Sequence, residues 1–151
     1  MKVQEAVVNG SKISDAKRTV LNILFAQQFV TENLAEIFKT YDLSTEQYNV
    51  LRILRGRKGA AANMCSIQES MIAKTSNTTR LVDKLLLKAY VTREICPQNR
   101  RKIEVYITQK GLDVLSELDP LVDSVEKSIS KNLSSEELHQ LNILLEKYRT
   151  A

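Results

Sequence analysis

Five polar residues in a row, Ser76, Asn77, Thr78, Thr79 and Arg80, stand ahead of an apolar repeat, and Lys84 follows Arg80 at a four-residue step. Amide and guanidinium groups can pair two ways with a base edge in duplex DNA, Asn with adenine and Arg with guanine, whereas Ser and Thr hydroxyls discriminate less. Lys84, and Lys88 one turn later, are point charges suited to phosphates, which fix register without reading sequence. A second group, Asn99, Arg100, Arg101 and Lys102, falls in the segment CPQNRRK, and either arginine suits a narrow minor groove where negative potential concentrates. Exposed lysines taken singly are commonly just a solvated face, so the joint arrangement carries the reading. Catalysis finds no residues to run it. There is no phosphate-cradling glycine loop and no metal-ligand spacing, and the single histidine, His139, has no nucleophile to serve, so no cofactor and no metal are expected. Cys65 and Cys96 are isolated thiols without C-x-x-C spacing, expected to be inert; the alternative is redox sensing through Cys96, which lies near Arg93 and Arg100.

Charge is unevenly spread over the 151 residues. From 43 to 109 twelve Lys or Arg face five Asp or Glu, a balance of +7, while the flanks together carry −3 of the net +4. A basic centre between mildly acidic arms is expected where one part of a fold meets polyphosphate and another does not. Hydrophobic residues at 43% and charged residues at 26% are ordinary for a folded globular chain. No apolar run approaches the roughly 18 residues of a membrane span, and the N-terminal stretch MKVQEAVVNGSKISDAKRT lacks the hydrophobic core of a secretory signal, so no membrane partner and a cytoplasmic location are expected.

Helical and strand periodicities must position these groups. Val20, Ile23, Leu24, Val30, Leu34, Ile37, Phe38 and Tyr41 recur at three- and four-residue steps, and Leu21, Phe25 and Phe29 form a neighbouring stripe, so the first helix is apolar over more of its surface than one small core needs. Ser44 and Gln47 have capping-box spacing, with Leu43 and Tyr48 as a staple, for a helix carried by Tyr48, Leu51 and Leu54. Ser66 and Glu69 repeat that spacing for a short third helix, and Ser76 is the expected N-cap of a fourth. That helix buries Leu81, Val82, Leu85, Leu86 and Ala89 and leaves Asn77, Arg80, Lys84 and Lys88 on the opposite stripe. The period then falls to two over Tyr90 to Ile95 and again through Ile103, Val105 and Ile107, and Pro97 places the intervening residues in a hairpin tip. Thr108 caps a long helix in which Pro120 predicts a kink or short break near Leu118 to Asp119. Ser134 and Glu137 open a last helix, lined by Leu138, Leu141, Leu144, Leu145 and Tyr148.

Helix, helix, short helix, turn, cationic helix, then a hairpin tipped with arginines is the order of a winged helix-turn-helix: mainly α with a small β wing. The stretches LSTEQYNVLRIL, TTRLVDKLLLKAYVTRE and NRRKIEVYITQKG together resemble the MarR family of bacterial winged-helix regulators, over nearly the whole chain. That resemblance implies an N-terminal dimerisation helix over 1–42, a DNA-binding lobe over 43–109 and C-terminal dimerisation helices over 110–151. It implies a homodimer, joined through residues such as Leu21, Phe25, Leu138, Leu141, Leu145 and Tyr148, on a pseudo-palindromic operator in double-stranded DNA. Binding in the family usually represses a gene until a small-molecule effector or oxidant weakens it. Carried over by position, Ser76 to Arg80 match the start of the recognition helix and Arg101 the wing-tip arginine. Two positions depart from the family pattern: Asn99 stands where an aspartate usually pairs with the wing arginine, and Ala89 where glycine often ends the recognition helix. A winged-helix module that contacts protein or RNA is the alternative, since a fold does not settle a function.

Overall fold

The computed structural model describes residues 13–74 and 77–150. Their order is α1 (Asp15–Thr40), α2 (Thr45–Gly56), β1 (Ala62–Asn63), α3 (Met64–Ser70), α4 (Thr78–Leu87), β2 (Val91–Ile95), β3 (Ile103–Ile107), α5 (Gln109–Ser130) and α6 (Ser135–Arg149). Local chemistry sets most of the boundaries. Both expected capping boxes form: the Ser44 hydroxyl accepts from the Gln47 amide at 3.1 Å while Gln47 returns a bond to the Ser44 amide, and Ser134 with Glu137 does the same. Thr108 caps α5 by accepting from the Gly111 amide at 3.1 Å.

Two expected caps move. α3 begins at Met64, capped by Asn63 Oδ1 on the Ser66 amide at 2.8 Å, so Ser66 is inside the helix. The reason lies far along the chain: Ala62 and Asn63 pair with Val105 and Glu104, and the chain turns helical as soon as it leaves that short ladder. At α4 the cap is Asn77, whose Oδ1 accepts from the Arg80 amide; Ser76, the expected cap, lies outside the described residues. Pro120 causes no break, the second of the two expected outcomes, because α5 runs unbroken through it. The bond it removes belongs to the carbonyl of Ser116, on an exposed turn where water can serve it. Leu115, Leu118 and Val122 stay buried on the other face and hold the helix against the core.

The sheet is antiparallel in the order β1-β3-β2, with Arg93 opposite Val105 and Glu94 opposite Glu104. One core joins arms and lobe: Phe38 of α1 and Leu115, Leu118 and Val122 of α5 pack with Val50, Leu51 and Leu54 of α2, Ile67 of α3, Val82 and Leu85 of α4, and Val91 and Val105 of the sheet. Each such side chain, fully withdrawn from water, contributes roughly 1.5–3 kcal/mol. α4 ends in a Schellman turn: the Ala89 amide donates to Leu86 and the Tyr90 amide to Leu85, with Ala89 at φ 59°. An alanine in that left-handed conformation costs about 1 kcal/mol that the glycine common in the family would release.

Candidate nucleic-acid interface

The site is built on α4. Val82 and Leu85 are buried on one side, which turns Arg80, Lys84 and Leu87 outward along a single stripe. Asn77 and Thr79 are exposed at the start of the helix, but Asn77 spends its carbonyl oxygen on the cap, leaving its amide NH2 as the free group. Thr78 is 6% exposed, so within this chain it lies beneath the helix while its neighbours on either side stand on the surface. Leu87, at 89% exposure, extends the stripe with an apolar group that sequence reading did not single out.

The wing holds its cationic tip in a closed turn. The Cys96 amide donates to the Lys102 carbonyl at 2.9 Å and the Lys102 amide to the Asn99 carbonyl at 2.9 Å. Asn99 Oδ1 accepts from the Arg101 backbone amide at 3.1 Å, so the residue that replaces the family's aspartate steadies the turn through the main chain. Arg100, Arg101 and Lys102 are exposed. Cys96 is half-buried at the strand end and Cys65 is exposed; both are free thiols.

Several lobe cations are tied. Arg55 makes a two-pronged ion pair with Asp119 of α5 at 2.8 and 3.0 Å, and Arg93 pairs with Asp83 at 2.9 Å. Lys88, expected on the exposed stripe and suited to phosphate, instead donates to the backbone carbonyl of Asp42 and to its carboxylate at 2.8 Å. The Lys88 hydrogen bond, and then its charge, hold the Asp42 carboxyl below the usual carboxylate range. The Arg55 and Lys88 ties link the lobe to both arms, whereas among the described residues Arg80, Lys84, Arg100, Arg101 and Lys102 form no ion pair. Arg52, Arg57, Lys58 and Lys74 are likewise exposed and without an ion pair among the described residues.

The arms are unusually apolar outside. Leu21 and Leu138 are half-buried, whereas Phe25, Leu141, Leu145 and Tyr148 are exposed, as are Leu24, Phe29, Ile143 and Leu144. No residue of α6 is buried. Among the described residues no helix is long and apolar enough to cross a membrane, and no group of three or more potential ligands could hold a metal ion.

A three-helix lobe, a cationic fourth-helix stripe and a two-stranded arginine-tipped wing define the winged helix-turn-helix class of DNA-binding proteins. The family model described as MarR family matches residues 43–103. The chain is 30% identical to the MarR transcription factor from Planctomyces limnophilus, whose crystal structure it matches with a TM-score of 0.70 over 90% of this chain and 98% of that one. IacR, an HTH-type transcriptional repressor of Pseudomonas putida, is 26% identical over 116 residues, 77% of this chain and 68% of that protein. A mutant of Escherichia coli MarR complexed with operator DNA shares the fold, with a TM-score of 0.78 at 22% identity over 91% of this chain and 99% of that one. The chain belongs to the MarR family and is a DNA-binding transcriptional regulator.

Proposed function

We propose that the protein is a repressor that binds a pseudo-palindromic operator as a homodimer and leaves it when a small-molecule effector binds. In this reading 1–42 and 110–151 are dimerising arms around a DNA-binding lobe at 43–109, and the two copies of α4 enter successive major grooves. Arg80, with Asn77 and Thr79 beside it, reads base edges; Lys84 meets phosphate; and Arg100, Arg101 and Lys102 of the wing meet the adjacent minor groove. The supporting observation is the stripe on α4, where Arg80 and Lys84 stand exposed opposite the buried Val82 and Leu85, with no ion pair among the described residues. The homodimer is supported by α6, fifteen residues long with no buried side chain, since monomers rarely leave an apolar face of that extent in water. Repression is carried over from IacR, the operator from the E. coli complex and effector release from the family likeness.

Competition mobility shifts at fixed salt test it. Arg80→Ala is expected to weaken binding to the preferred duplex by about 1–3 kcal/mol and to relax the preference at one base position in each half-site. If the variant bound every duplex as the parent does, α4 would not be the reading element.

A further inference from the structure

α4 is flanked by a cationic hollow that the lobe alone does not account for. Lys39 and Asp42 of the α1 end and Lys84 and Lys88 of α4 line one open depression of about 450 Å³. Among the described residues Asp42 is the one acid in its lining, and Lys88 occupies both its carboxylate and its carbonyl. Lys39 and Lys84 are exposed and form no ion pair among the described residues, so two ammonium groups from different elements border the same space. A B-form major groove is about 12 Å wide and a helix with its side chains is about 10–12 Å across. The phosphate strands edging the groove must therefore run close along the flanks of an inserted helix, and this depression is one such flank.

We propose that Lys39, an arm residue, joins Lys84 in holding a backbone phosphate of the duplex that α4 enters, an assignment that rests on the DNA-binding reading above. The interaction is one of charge, so it adds affinity and register and no base preference. Lys39 also sits in the last turn of α1, where a cation favours the helix dipole; that role would leave the salt dependence of DNA binding unchanged.

The test is a salt titration of binding to the preferred duplex by the full chain, Lys39→Ala and Lys39→Arg. The slope of log affinity against log salt should become shallower in Lys39→Ala by about 0.9 for each phosphate that is no longer neutralised, or roughly twice that for two protomers on one duplex. Base preference should be unchanged, and Lys39→Arg should keep the parental slope. A Lys39→Ala protein that melts normally and retains the parental slope overturns the proposal. So does a parental slope combined with Lys39-dependent weakening by inorganic phosphate at constant ionic strength, which would make the hollow a free-anion site. If the parent protein bound no duplex at any salt, the DNA-binding reading would itself fall, and this assignment with it.

Discussion

Replacing Leu141 and Leu145 of α6 together with glutamate is expected to yield a monomer that keeps its helical content and loses operator binding. The two positions are one helical turn apart on a helix with no buried residue, so the substitutions remove no side chain from the buried core of the chain. Between two chains they would place four carboxylates in an apolar interface, where an unpaired charge is heavily penalised. Losing the second half-site removes the gain from bivalency, and affinity for the two-half-site duplex should fall roughly 10²–10⁴-fold. Light scattering reads the mass and a mobility shift reads the binding. A double variant that stayed dimeric would place the subunit interface elsewhere on the arms.

Gly111→Ala should be strongly destabilising, although alanine is normally the better helix former by about 1 kcal/mol. Gly111 lies in the first turn of α5, where a Cβ would meet the Tyr90 carbonyl oxygen at 2.4 Å and Ile107 Cγ1 at 2.8 Å. That carbonyl is fixed in place: it accepts the Thr108 amide at 3.0 Å and belongs to the turn joining α4 to β2. Backbone cannot yield as a flexible side chain would, so the start of α5 or the base of the wing must shift, at about 3 kcal/mol. The melting temperature should drop by roughly 6–12 °C. Gly56→Ala is the control, since nothing lies within 4 Å of a Cβ there, and it should melt at or above the parent. Equal melting of Gly111→Ala and the parent would mean that α5 and the wing are joined more loosely than this close approach implies.

What the chain announces in its sequence is whatever a few neighbouring residues decide. Ser44 with Gln47, Ser134 with Glu137, and Thr108 ahead of α5 mark helix starts through three-residue spacings, and all three caps form. Val82 and Leu85 against Arg80 and Lys84 mark an amphipathic helix for the same reason. Features fixed by distant partners stay hidden. β1 is two residues long and exists because Ala62 and Asn63 meet a strand some forty residues later, which is why the α3 cap falls at Asn63 and not at Ser66. Lys88 reads as a phosphate ligand because its partner, Asp42, is 46 positions earlier, and Arg55 gives no sign of Asp119, 64 positions on. Local spacing carries no trace of such pairs, so the sequence overstates the number of free cations in the lobe and misses the ties that anchor the lobe to the arms.

Two copies of α4 meeting one duplex is the claim on which the function turns, and selection of bound fragments from random double-stranded DNA measures it. The prediction is an enriched inverted repeat whose half-site centres lie about one helical turn, roughly 34–36 Å, apart. Enrichment of a single unrepeated half-site, or no enrichment over the starting pool, would contradict it.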